Sequence, residues 1–139
     1  MLEPEIVMEK SAYTIPPLER KRQLLVVDDN QAVQEVLSET LSFLGYDVTI
    51  ADNGIEGGTL FLSGSYDLVV TALDMPLMNG RELSRLIKER SPNTPVLVIS
   101  GAGDEMHWKE MNMRCVDAII LKPFMVEDIK ETVQRLLNS

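Results

Sequence analysis

Short apolar runs in this chain end in side chains that can do chemistry. Asp28-Asp29 follow Leu24-Leu25-Val26-Val27, Ser100 follows Val96-Leu97-Val98-Ile99, and Lys122 follows Ala118-Ile119-Ile120-Leu121. A fourth run, Leu68-Val69-Val70-Thr71, ends instead in the inert Ala72. Two acids, a hydroxyl and an amine can surround one shared reactant with fixed charge and hydrogen-bond donors, provided the fold brings them together. Singly, each has a plainer role. Asp28 and Asp29 suit a loop before a helix N-terminus, where the dipole favours carboxylates. Ser100 suits a strand end that needs a backbone partner, and Lys122 a solvated terminus. Their corresponding positions after separate runs favour one crevice.

The elements that would position these groups follow from periodicity. The four runs are contiguous and rich in β-branched residues, as expected of parallel strands covered on both faces. Tyr46-Asp47-Val48-Thr49-Ile50 alternates instead and suits an edge strand. Between the runs the apolar period lengthens to that of a helix. Val33, Val36, Leu37, Leu41 and Leu44 form a stripe with Gly45 as its C-terminal stop. Leu83, Leu86 and Ile87 form another after Asn79-Gly80, closed by Ser91-Pro92. Val126, Ile129, Val133, Leu136 and Leu137 form the last. Ile55 to Ser63, with Gly57-Gly58, and Asp104 to Met113, rich in methionine, give weaker helical patterns. Strand and helix thus alternate five times. Right-handed crossovers then predict an α/β fold: a doubly wound, flavodoxin-like parallel sheet of order 2-1-3-4-5. In such sheets the functional crevice lies beyond the carboxyl ends of the strands, where the four groups fall.

Composition narrows the function. The chain has 139 residues, enough for one domain, and 13 Lys plus Arg against 22 Asp plus Glu give a formal charge of -9. Such a surface repels a phosphate backbone, so no direct nucleic-acid partner is expected. The one dense basic run, Arg20-Lys21-Arg22, reads as a solvated approach to the first strand. Cys115 is the only cysteine and His107 the only histidine, which excludes an internal disulfide, a zinc cluster and His-rich metal sites. No apolar stretch has the length of a membrane span, and the N-terminus is unlike a secretory signal, so a cytoplasmic location is expected. Residues 1–20, with Tyr13 and Pro16-Pro17, read as a flexible N-terminal extension, and 21–139 as the folded domain.

The motifs at the strand ends resemble those of response-regulator receiver domains. Leu24 to Asp29 is similar to their acidic opening, Tyr66 to Gly80 to their phosphorylation loop, and Leu121-Lys122-Pro123-Phe124 to their Lys-Pro-Phe element. The likeness extends from about Gln23 to Leu137, in order. It implies transfer of a phosphoryl group from a histidine kinase or phosphotransfer protein to an aspartate. It also implies that Asp28, Asp29 and the backbone carbonyl of Asp74 hold Mg2+, and that Ser100 and Lys122 contact the phosphoryl oxygens. Lys122-Pro123 matches the family's cis-peptide turn.

The same alignment puts Ala72 at the phosphoacceptor position, and a methyl group cannot accept phosphate. Asp74 is no substitute, because displacement by two residues loses the in-line geometry that phosphoryl transfer needs. Two explanations stand: an engineered Asp→Ala change that locks the unphosphorylated state, or a natural pseudo-receiver that signals by binding alone. The otherwise intact loop, with Thr71 before and Met75-Pro76 after, slightly favours the first; Ile119, where relatives often carry a switch Tyr or Phe, supports the second, and Gly101 is a milder departure. With one carboxylate fewer, Mg2+ should bind more weakly, and Lys122 is expected to pair with Asp28 or Asp29.

Little chain follows the last stripe, so output is expected through protein contacts. The resemblance implies the face of the fourth helix, fifth strand and fifth helix; Met106, Trp108, Met111 and Met113 crowd that fourth helix and suit either an adaptable partner surface or ordinary core packing. Catalysis as an enzyme is not expected. An aspartate-dependent phosphatase would need Asp-x-Asp after the first strand, which Asp28-Asp29-Asn30 does not supply. A flavodoxin-like carrier would need a Ser/Thr/Gly-rich phosphate loop there. A receiver belonging to a longer regulator remains an alternative.

Overall fold

The computed structural model describes residues 20–101 and 113–138. Its strands are β1 (Gln23–Val27), β2 (Asp47–Ala51), β3 (Leu68–Ala72), β4 (Val96–Ser100) and β5 (Ala118–Leu121). Its α-helices among the described residues are α1 (Gln31–Phe43), α2 (Gly54–Ser63), α3 (Gly80–Arg90) and α4 (Val126–Leu137), with a 3-10 turn at Met113–Cys115. The helix expected over Asp104 to Met113 lies outside these residues except for Met113, which opens the 3-10 turn, and so does all of the expected N-terminal extension except Arg20. The last helix of the sequence pattern is therefore α4.

All four strand pairings are parallel, in the order β2-β1-β3-β4-β5. Alternate residues of each central strand feed two cores. Leu25, Val27, Val69, Val96 and Val98 meet Phe61 of α2 and Leu83 and Ile87 of α3. Leu24, Val26, Leu68, Val70, Leu97 and Ile99 meet Leu37 and Leu41 of α1 and Ile129, Val133 and Leu137 of α4. Burial on both faces is why β1, β3 and β4 read as unbroken apolar runs. β2 is the edge strand, but Val48, Thr49 and Ile50 are all half-buried, so its alternation is only partial.

Helix starts are fixed locally. Asn30, Asn53 and Asn79 each cap a helix by accepting from the backbone N–H three residues on, and Glu82 reciprocates at Asn79. α1 stops at Gly45, whose φ of 98° favours a residue without Cβ. Gly57 lets α2 lie against β1, because a Cβ there would stand 2.8 Å from Val27 Cγ2. The expected stripes are not wholly buried: Val36 on α1 and Val126 on α4 are exposed. Each sits at the margin of its helix's inward face, where a stripe drawn from spacing alone is too wide.

Arg20 and Lys21 of the run Arg20-Lys21-Arg22 make ion pairs near the surface, Arg20 to the half-buried Asp67 at 3.7 Å and Lys21 to the exposed Asp47 at 3.5 Å. At the same amino-terminal edge, Lys88 Nζ donates to Asp117 at 2.7 Å and to the Thr94 carbonyl at 2.7 Å. Asp117 also accepts from the Val96 N–H, so one carboxylate ties α3 to the start of β4.

Candidate functional site at the carboxyl ends of the strands

Asp28 follows β1 and is 2% exposed. Its N–H donates to the Ala51 carbonyl, which continues the β1–β2 ladder by one residue. One carboxylate oxygen, Oδ1, accepts from the Asn30 N–H at 2.8 Å. The other, Oδ2, is buried without a hydrogen-bond partner. Burial pushes this carboxyl above its ordinary pKa; the Asn30 hydrogen bond and the Lys122 charge oppose the shift, and Asp29 adds to it. Asp29 itself is exposed.

Val27 pairs with Thr71, so Ala72, the last residue of β3, lies beside Asp28. Ala72 is 5% exposed and packs with Leu73 and Met75 in the core under α2 and α3. The loop after it turns back tightly. Leu73 donates its N–H to the Ile99 carbonyl and accepts from the Gly80 N–H at 2.8 Å. A Cβ on Gly80 would collide with the Ala72 carbonyl oxygen, so the close approach requires glycine. Asp74 lies exposed on this loop, and Leu77 is held at φ 75° with its side chain 76% exposed.

Ser100 is buried at the end of β4, and its carbonyl accepts from the Lys122 N–H at 2.8 Å. The Lys122-Pro123 bond is cis. Lys122 is half-buried, and its charge acts on Asp28. The expected direct pair is not formed: among the described residues no close ion pair joins Lys122 to Asp28 or Asp29. The free Asp28 oxygen, Oδ2, is buried, whereas the half-buried Lys122 ammonium keeps its access to water. Ile119 packs on the core under α2 and α3 together with Val98, two residues before Ser100.

The fold thus brings Asp28, Ala72, Ser100 and Lys122 to one edge of the sheet. Sequence reasoning missed Gln34, whose amide donates to the Asp28 carbonyl at 2.6 Å and to Asp52 at 2.7 Å. Its position one turn into α1, facing the loop that follows β1, was the available signal. Among the described residues no three His, Cys, Asp or Glu side chains are grouped to hold a metal. What suits a hard divalent cation here is oxygen chemistry: the buried, unpartnered Asp28 Oδ2 and the neighbouring exposed Asp29 carboxylate.

A five-stranded doubly wound sheet with acids, a hydroxyl and a lysine at its carboxyl edge defines a receiver-type signalling domain. The chain belongs to the response regulator receiver domain family, whose pattern it matches over residues 24–134. It is 30% identical over 116 residues to the transcriptional regulatory protein CusR of Escherichia coli K12, covering 84% of this chain and 51% of that protein. It is 34% identical over 117 residues to the response regulator MprA of Mycobacterium sp. KMS, covering 84% and 50%. The chain therefore spans about half the length of these relatives. Among solved structures, TrrA of Thermotoga maritima, in complex with Mg2+ and BeF, superposes with a TM-score of 0.73 at 30% identity, covering 83% of this chain and 98% of that one. The protein is a receiver domain of two-component signalling. No helix among its described residues is long and apolar enough to cross a membrane.

Proposed function

We propose that this receiver signals through binding alone, because Ala72 occupies the phosphoacceptor position. The observation that carries the reading is the buried methyl at the end of β3, beside the Asp28 carboxylate with its unpartnered oxygen. Asp28, Asp29 and the Asp74 carbonyl would hold Mg2+, which when bound neutralises charge around an anion. Ser100 and Lys122 are the donors that would meet phosphoryl oxygens. With no carboxylate at 72, the metal loses an anionic ligand and binds more weakly. Asp74 lies exposed two residues further on and does not take over.

Without phosphorylation, the kinase or phosphotransfer protein acts as a binding partner. Output passes to a downstream protein through β5, α4 and the segment before them; Leu121 and Met125, both exposed and apolar, support that face. The half-length match to CusR and MprA favours a second reading, in which this is the receiver portion of a longer regulator.

The test is intact mass after incubation with acetyl phosphate and Mg2+. The chain as it stands should gain nothing, and Ala72→Asp should gain one phosphoryl group. A phosphoryl adduct on the alanine form overturns the reading.

A further inference from the structure

Every polar atom of Asp28 except Oδ2 has a partner inside the fold. Its N–H donates to the Ala51 carbonyl at 3.1 Å, its Oδ1 accepts from the Asn30 N–H at 2.8 Å, and its carbonyl accepts from the Gln34 amide at 2.6 Å. The first two partners are backbone groups. The third is a side chain that reaches back from α1. The same nitrogen, Gln34 Nε2, donates to Asp52 Oδ1 at 2.7 Å. A primary amide has two N–H groups, and here each has its own acceptor. Asp52 is a fixed anchor, because its N–H donates to Glu56 Oε1 at 2.6 Å and its neighbour Asn53 caps α2. We infer that Gln34 is a positioning residue for a divalent cation at Asp28 and Asp29, acting as a bridge between the β1–α1 and β2–α2 loops. The inference rests on the reading of those two acids as metal ligands.

The bridge acts through the peptide plane. The Asp28 carbonyl shares that plane with the Asp29 N–H, so fixing the oxygen fixes the direction in which Asp29 leaves the chain. Asp29 is exposed, so packing does not hold it. The pinned carbonyl and the pinned Oδ1 together leave Oδ2 as the one free valence of Asp28, already aimed before a cation arrives. Residue type matters here. Glutamate has the same length but cannot donate to a carbonyl, and it would face the Asp52 carboxylate with a like charge. Arginine would donate but bring a positive charge towards the cation. Glutamine holds the loop and adds no charge.

Amide exchange on the full chain tests the bridge without metal. Gln34→Ala and Gln34→Glu should each speed exchange of the Asn30 N–H by about tenfold, with β3 and β4 unchanged, and Gln34→Arg should restore the slow rate. Slow exchange retained in Gln34→Glu overturns the inference, because shape rather than donation would then be what counts. Calorimetry tests the consequence. In the Ala72→Asp chain, adding Gln34→Ala should weaken Mg2+ binding by about tenfold or more, the usual effect of losing a group that orients a ligand. Unchanged affinity overturns the inference. Absence of Mg2+ binding by Ala72→Asp alone would instead overturn the metal reading beneath it, while exchange would still decide whether the bridge holds the loop.

Discussion

Asp28 has the least comfortable environment of the described acids. Its carboxyl is buried, one oxygen lacks a partner, and its pKa is raised. A folded-state pKa above the unfolded one means that the native protein holds more protons across that interval. Stability therefore falls as pH rises from the ordinary carboxylate pKa through the raised one, and the full cost of the buried charge is present above it. Asp28→Asn should unfold at a higher temperature than the parent at neutral pH, and the difference should close on acidification into the carboxylate range. Thermal melts across pH check this; a constant difference would refute it. At the proposed site Mg2+ would compete with the same proton, so its affinity should drop as pH falls through that interval. Calorimetry should find Ala72→Asp binding Mg2+ about tenfold more tightly than the alanine form, the gain expected from one added anionic ligand. Equal or weaker binding by the aspartate form would remove the role assigned to position 72.

Elements carry their own predictions. Leu77 sits at a positive φ that costs an L-residue roughly 1–2 kcal/mol, and its exposed side chain recovers little of that. Leu77→Gly relieves the strain but loses about 0.5–1 kcal/mol of unfolded-chain entropy, so a net gain of up to about 1 kcal/mol is expected in urea unfolding. At the opposite edge, Lys88→Ala leaves the Thr94 carbonyl without its Lys88 donor and Asp117 with only the Val96 N–H. A loss of about 1 kcal/mol should follow, since the pair is partly solvated. The elements were largely legible in the sequence because burial on both faces leaves a continuous apolar run, which β1, β3 and β4 supply. Helix margins were less legible. Val36 and Val126 fit the spacing, but spacing does not say how wide a strip each neighbouring layer covers. The glycines at 57 and 58 weakened the reading of α2; Gly57 is needed there because Val27 leaves no room for a Cβ.

For the whole molecule, topology was legible because few arrangements satisfy parallel pairing, right-handed crossovers and one alternating edge strand. The site followed from that topology, since carboxyl ends converge in such a sheet. What stayed hidden were contacts made by long polar side chains from other elements: the Gln34 amide on the Asp28 carbonyl and the Lys88–Asp117 tie. Nothing in local spacing pairs residues 29 positions apart, as Lys88 and Asp117 are.

The methyl of Ala72 also bears on time. A covalent mark gives a signal its own clock, because information persists until the bond hydrolyses. A domain that cannot be marked keeps no record. Under the proposed signalling by binding alone, the message would last only as long as a partner stays attached, and its strength would follow partner abundance at each moment.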